Sequence, residues 1–182
     1  NLPNYGVFDD KRNFTAGGLP GPVMLRGIKF GLPICEDIWQ PEVAECLQES
    51  GADILVALNA SPFDSAKPER RMSTAVARTV ETGLPLIYVN MVGGQDELVY
   101  DGASFALNSD GSLASHLPSF SETVVLVQLS LTAGHISLSG QVTPPDEGMK
   151  ALYRGVMLGL RDYVQKNGFP GVVLGLSGGI DS

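Results

Sequence analysis

The chain has 182 residues, enough for one ordinary domain or two partial ones, and its 43% hydrophobic content is enough to build a core. A net charge of −8 excludes a broad electrostatic nucleic-acid surface, while a local cationic pocket for a small anion stays open. No apolar run approaches the roughly 20 residues of a membrane span, and Cys35 and Cys46 sit in contexts too different for a disulfide framework, so a reducing, cytoplasmic setting is expected.

In chain order, residues 1–27 are rich in Gly, Pro and Asn and read as a long functional loop. Residues 28–35 (IKFGLPIC) read as a buried strand ending at a cysteine. Residues 41–50 begin with Pro41 and stop before Gly51, with Val43, Ala44 and Leu47 at helical spacing, which predicts a short helix. Residues 52–61 (ADILVALNAS) form a continuous apolar run, the pattern of a strand covered on both faces. A second helix is predicted over 67–82, with Met72, Val76 and Val80 four apart and Gly83 as its stop. Arg70 and Arg71 read as part of its solvated start.

Residues 84–92 (LPLIYVNMV) predict another buried strand, followed by a VGGQDE loop in which Gly93 and Gly94 serve a turn, as Gly102 does. Residues 103–116 predict a hairpin around Asp110-Gly111, and residues 122–131 a last strand. His116 and His135 have no partner pattern and read as surface or loop residues. Residues 132–148 carry Gly, Ser, Thr and the Pro144-Pro145 pair and read as a linker. Residues 146–167 predict one long helix, with Met149, Leu152, Val156, Leu160 and Tyr163 on a common apolar face. The chain then runs as a strand (FPGVVLGL) into a Gly-rich loop. Strands alternating with helices before a hairpin indicate a layered α/β or α+β domain over 1–131. The unit at 149–182 reads as a second domain beginning.

Two segments carry chemistry. The first is Gly31-Leu-Pro-Ile-Cys-Glu-Asp-Ile-Trp39, which ends a strand on Cys35. A strand end can aim a thiol into a site, but a nucleophilic thiolate needs a base or positive charge nearby, and the adjacent acids Glu36 and Asp37 would raise the thiol pKa if both pointed at it, so the activating group must come from elsewhere. Taken alone, Cys35 reads as a core cysteine, as Cys46 does. The second is Gly175-Leu176-Ser177-Gly178-Gly179-Ile180-Asp181-Ser182, a Gly-rich loop after an apolar strand. Its glycines allow backbone N–H groups to turn toward an anion. Ser177 and Ser182 add hydroxyl donors, and the loop lacks the Gly-Lys-Ser/Thr ending of a Walker A motif.

The first segment resembles the nucleophile segment of the nitrilase superfamily, the carbon–nitrogen hydrolases, which use a Glu–Lys–Cys triad. Leu2-Pro-Asn-Tyr-Gly-Val-Phe-Asp-Asp-Lys-Arg12, Asn59-Ala-Ser-Pro-Phe63 and the stretch from Tyr88 to Ser104 are similar to the glutamine-dependent NAD⁺ synthetases within it. The second segment resembles the Ser-Gly-Gly-x-Asp-Ser pyrophosphate loop of ATP pyrophosphatases. The resemblance implies a partial nitrilase-like α-β-β-α sandwich, then the start of a Rossmann-like adenine nucleotide alpha hydrolase domain. It implies Cys35 as nucleophile, with Tyr5, Ser61, Lys67 and Glu36 contacting glutamine. Residues 175–182 would hold ATP, with Asp181 helping to hold Mg²⁺. Deamido-NAD⁺ is the implied acceptor, and a homo-oligomer the implied assembly. The family's Lys and Glu would fall before Asn1, so the chain is expected to be a fragment without glutaminase activity by itself. A free-standing amidase explains residues 1–131 but not the C-terminal loop. A non-catalytic binding domain is the reading left if Cys35 proves inert.

Overall fold

The computed structural model describes residues 2, 4–6 and 9–180. Its centre is a six-stranded mixed sheet in the order β1-β2-β3-β4-β7-β8. The strands are β1 (Val23–Leu25), β2 (Ile28–Gly31), β3 (Ile54–Asn59), β4 (Leu86–Asn90), β7 (Phe105–Leu107) and β8 (Leu113–His116). The three central strands run parallel because helices connect them, whereas the outer pairs are antiparallel hairpin partners. The connecting helices are α1 (Pro41–Glu49) and α2 (Lys67–Thr82). Each starts with a proline in its first turn, where the missing N–H removes no helical bond. Gly83 ends α2 at φ 67°, its N–H bonded to Thr79 O at 2.9 Å.

Both helices cover one face of the sheet. There Val43, Ala44, Leu47, Leu55, Ala57, Ala75, Leu86, Tyr88, Phe105 and Leu107 form the main core. Each fully buried leucine in it contributes roughly 1.5–3 kcal/mol of transfer free energy. On the opposite face, a hairpin of β9 (Gln128–Thr132) and β10 (His135–Ser139) packs Leu138, Leu129 and Ile136 against Ile54, Ile87 and Ala106. That hairpin covers part of the face only, and Leu58 and Val89 stay 47% and 41% exposed. The run expected to be covered on both faces is therefore open on one side at its carboxyl end.

Several expectations change at this level. The strand to Cys35 stops at Gly31 and resumes as a single parallel bridge between Ile34 and Leu58. The VGGQDE stretch, expected as a loop, instead enters a hairpin of β5 (Val92–Gln95) and β6 (Leu98–Asp101) that turns at Asp96. Gly93 and Gly94 therefore lie in a strand. Only the end of the 122–131 stretch is strand, and β10 lies inside the segment expected as a linker. His116 is buried in β8, its Nδ1 2.9 Å from Thr143 O and its ring stacked on Phe105.

The long helix forms as α3 (Gly148–Lys166), closed by Gly168 at φ 67° with bonds from Gly168 N to Gln165 O and Phe169 N to Val164 O. Its buried face is not the expected one. Ala151, Gly155, Leu158 and Asp162 face inward, while Met149, Leu152, Val156, Leu160 and Tyr163 are exposed. The small residues win because α3 lies against the β5–β6 hairpin at backbone distance. A Cβ on Gly94 would stand 3.0 Å from Gly159 Cα. Gly94 N–H donates to Asp162 Oδ2 at 2.8 Å, and Lys166 Nζ donates to Gly94 O at 2.6 Å. The strand expected before the C-terminal loop does not form. A strand needs a neighbour to take its ladder bonds, and among the described residues none pairs with 169–176, where Val173 and Leu174 are exposed.

Candidate active site

Cys35 opens a short 3-10 turn, Cys35–Ile38, and sits at φ 48°, in the left-handed region that non-glycine residues seldom occupy. Such backbone strain costs about 1–3 kcal/mol and persists where the surroundings over-determine it. Here the surroundings are explicit. Asp37 Oδ2 accepts the Ile34 N–H at 3.0 Å, Asp37 N–H donates to Ile34 O at 3.0 Å, and Pro33 O accepts Leu58 N–H at 3.1 Å. The turn is pinned to β3 just before the cysteine, whose thiol is half-buried.

Burial pushes the Cys35 thiol above its ordinary pKa, and the Glu36 carboxylate adds to this. A hydrogen bond from the Ala60 backbone, the positive charge of Lys67 and the Glu36 backbone act the other way. The positive charge that the sequence segment lacked thus arrives from the first residue of α2. Lys67 Nζ stands 5.0 Å from the centre of the Trp39 ring, a cation–π contact that holds it at the turn.

Tyr5 Oη donates to the Glu36 carboxylate, 2.9 Å from each oxygen. Burial, and then Glu36, push its pKa up to about 12. Ser61 is buried at the end of β3, its N–H bonded to Asn90 Oδ1 at 2.9 Å. Tyr5, Cys35, Glu36, Ser61 and Lys67 therefore gather around one turn, although they are scattered over more than sixty positions of the chain.

The sequence reading missed the polar frame beneath them. Arg71, expected as a solvated helix start, is buried and donates from Nη2 to both oxygens of Asp101 at 2.7 and 2.8 Å. Asn90 Nδ2 reaches Gly102 O at 3.1 Å and Asp101 Oδ1 at 3.4 Å. Tyr88 lies beside Ser61; burial first, and then the nearby Cys35, raise the pKa of both Tyr88 and Tyr100 of β6. The available signal was a polar residue ending each apolar run: Asn59 after ILVAL, Asn90 after LIYV, Asp101 after LVY. Arg70 stays exposed and 3.5 Å from Asp64, as expected.

At the other end of the chain, Gly175, Leu176, Ser177, Gly178, Gly179 and Ile180 form an exposed bend with Gly178 at φ 81°. Gly179 N–H donates to Ser177 Oγ at 3.2 Å. Asp181 and Ser182 lie outside the described residues. Among the described residues no three His, Cys, Asp or Glu side chains stand where they could hold a metal ion, and no helix is long and apolar enough to cross a membrane.

The carbon-nitrogen hydrolase family model matches residues 3–134, most of the chain and all of the turn that carries Cys35. This chain belongs to the carbon-nitrogen hydrolase family. The NAD synthase model matches residues 152–182. A glutamine-dependent NAD(+) synthetase of Rhodobacter capsulatus is 47% identical over the whole chain, which covers 33% of that protein. The solved structure of the glutamine-dependent NAD+ synthetase of Acinetobacter baumannii, in complex with ADP, superposes with a TM-score of 0.91. It is 41% identical over all of this chain and 34% of its own. An amidase of the nitrilase superfamily from Nesterenkonia reaches a TM-score of 0.55 at 29% identity, over 64% of this chain and 44% of its own. The carbon-nitrogen hydrolase described here thus spans about a third of the length of the curated relatives it matches.

Proposed function

We propose that this chain is the middle portion of a glutamine-dependent NAD⁺ synthetase. In this reading its first part supplies the glutaminase nucleophile, and residues from 149 onward begin the ATP-using synthetase. The observation that carries the glutaminase half is the turn at Cys35, where a half-buried thiol meets the Lys67 charge and the Ala60 backbone.

The Cys35 sulfur attacks the side-chain amide carbon of glutamine, a thioester forms, and ammonia leaves. Water then cleaves the thioester to glutamate and restores the thiol. Lys67 offers a positive charge to the glutamine carboxylate, and Glu36, held by Tyr5, a negative one to its ammonium. Ser61 adds a small polar contact. A glutamate base and a lysine for the tetrahedral intermediate come from the family's other motifs, outside this chain.

At the second site, the Gly175–Ile180 loop, continued by Asp181 and Ser182, cradles the phosphates of ATP. Mg²⁺ enters with ATP as part of the substrate, and Asp181 helps to hold it. The nicotinate carboxylate of deamido-NAD⁺ takes AMP from ATP with release of pyrophosphate, and ammonia displaces the AMP to give NAD⁺. A homo-oligomer in the cytoplasm belongs to the same reading.

The test uses a protein of the relatives' full length carrying this segment. NAD⁺ formation from deamido-NAD⁺, ATP and Mg²⁺ is followed with glutamine or with ammonium, for the parent and for Cys35→Ala. The expected result is loss of glutamine-driven synthesis with ammonium-driven synthesis intact. Amide hydrolysis without NAD⁺ formation from either nitrogen source would replace the ligase reading with that of an amidase.

A further inference from the structure

We propose that Asp37 is a positioning residue for the cysteine: its carboxylate, closed on the Ile34 N–H, holds Cys35 in the left-handed conformation from which the thiol meets its substrate. This rests on Cys35 being the glutaminase nucleophile.

Cys35 stands at φ 48° as the first residue of the Cys35–Ile38 turn. Arg26, Asp96 and Ala133 share its sign of φ, but each lies in the two-residue loop of a hairpin, where the turn itself demands that sign. Cys35 lies in no such loop. A glycine would take this conformation freely, but a glycine has no thiol, so other residues must hold it.

Both flanks of the turn are seated. Pro33 and Ile38 are buried, Pro33 O accepts Leu58 N–H at 3.1 Å, and Ile34 forms a bridge with Leu58. Between these seats two bonds join residues 34 and 37. Asp37 N–H donates to Ile34 O at 3.0 Å, which is the ordinary bond of a 3-10 turn. Ile34 N–H donates to Asp37 Oδ2 at 3.0 Å. This second bond forms only when the chain folds back far enough to bring the carboxylate of residue 37 to the N–H of residue 34. It therefore selects the conformation of the two residues between them, Cys35 and Glu36. Glu36 does not share the task, because its carboxylate accepts from Tyr5 Oη at 2.9 Å.

A hydrogen bond to a carboxylate is of the same size as the strain of one left-handed residue, so its loss is enough to release the turn. A return of Cys35 to an ordinary φ of about −60° would swing its Cα–Cβ bond by about 110° around the incoming N–Cα bond. The sulfur would then travel well beyond the roughly 1 Å of misplacement that can cost about a hundredfold in rate.

The test uses a protein of the relatives' full length carrying this segment, with glutamine hydrolysis and ammonium-driven NAD⁺ synthesis measured side by side. Asp37→Ala is expected to lower kcat for glutamine by about ten- to a hundredfold, with KM changed by less than about threefold. Ammonium-driven synthesis is expected to stay intact, which shows that the variant folds. Asp37→Asn keeps an oxygen that can accept the Ile34 N–H, and is expected to restore kcat to within about threefold of the parent. If Asp37→Ala does not fold, Asp37→Ser, whose shorter side chain leaves the Ile34 N–H without this acceptor, is expected to lower kcat by at least about threefold. A kcat within about twofold of the parent in a folded Ala or Ser variant overturns the proposal. So does an Asn variant as slow as Ala, which would assign the effect to charge, or a raised KM with kcat unchanged, which would make Asp37 a substrate contact. Cys35→Ala in the same assay separates the two readings. Glutamine hydrolysis surviving in Cys35→Ala removes the nucleophile beneath the proposal, whereas its loss there beside full kcat in Asp37→Ala removes the proposal alone.

Discussion

Replacing Asp101 by asparagine keeps the shape of the side chain and removes its charge. In the parent, Arg71 and Asp101 are 2% and 3% exposed and joined by bonds of 2.7 and 2.8 Å. Beyond these, among the described residues, the Arg71 guanidinium has only Gly102 O, at 3.5 Å, and its Nε has no partner. Asp101→Asn therefore strands a buried cation with little else to hold it. Breaking such a pair costs about 3–5 kcal/mol, a large share of the roughly 5–15 kcal/mol that stabilises a domain. Urea unfolding monitored by Trp39, the chain's single tryptophan, gives the free energy. The reasoning also predicts the double variant. With Arg71→Met and Asp101→Leu together no charge is left buried, and stability should recover by at least about 2 kcal/mol over Asp101→Asn. A double variant as unstable as the single one, or an Asp101→Asn loss under about 1 kcal/mol, would refute the idea that a stranded cation sets the cost.

Lys67→Met should slow alkylation of Cys35 near pH 7, because the lysine charge is one of the features holding the thiol pKa down against burial; a pH–rate profile shows it. Gly94→Ala should cost about 1–3 kcal/mol, since the new Cβ meets Gly159 backbone at 3.0 Å rather than a side chain that can turn away; thermal melting measures the loss. On α3, Val156→Asp should change the chain's stability by less than about 0.5 kcal/mol, while Leu158→Asp should lower it by several times as much, because only Leu158 is buried. Burial holds the His116 pKa below its ordinary 6.5. The unfolded chain therefore binds a proton at a pH where the folded one does not, so this residue's contribution is complete above pH 6.5 and is lost as the pH falls below it. His116→Phe should flatten that part of the stability–pH curve.

The elements with strong local signals were readable from sequence. Helix α2 occupies Lys67–Thr82 as its apolar spacing and Gly83 stop predict, and the Asp110-Gly111 turn joins β7 to β8. What escaped depends on partners distant in sequence. Gly93 and Gly94 look like turn residues because glycine is a poor strand former, yet here their bare backbone lets α3 approach. The periodicity of α3 offered two faces, and the larger side chains pointed to the one that is exposed. At the site, the resemblance named Cys35, Tyr5, Ser61 and Lys67, which the fold brings near one turn. The Arg71–Asp101–Asn90 frame was not legible, because a buried arginine is invisible until the carboxylate thirty residues away is placed beside it.

The contact of Gly94 with Gly159 has a consequence for how α3 can be displaced. Sliding a helix by one residue moves it 1.5 Å along its axis and turns it by about 100°. Either neighbour of Gly159, Leu158 or Leu160, would then bring a full side chain to a place where a Cβ alone already stands 3.1 Å from Val99 Cγ2. Asp162 and Lys166 would lose Gly94 in the same step. The helix therefore has one seat on the hairpin, and it leaves that seat by lifting away, not by creeping along it. A residue inserted between Ser139 and Gly148 would have to be taken up as slack in the connecting segment, with the helix itself staying where it is.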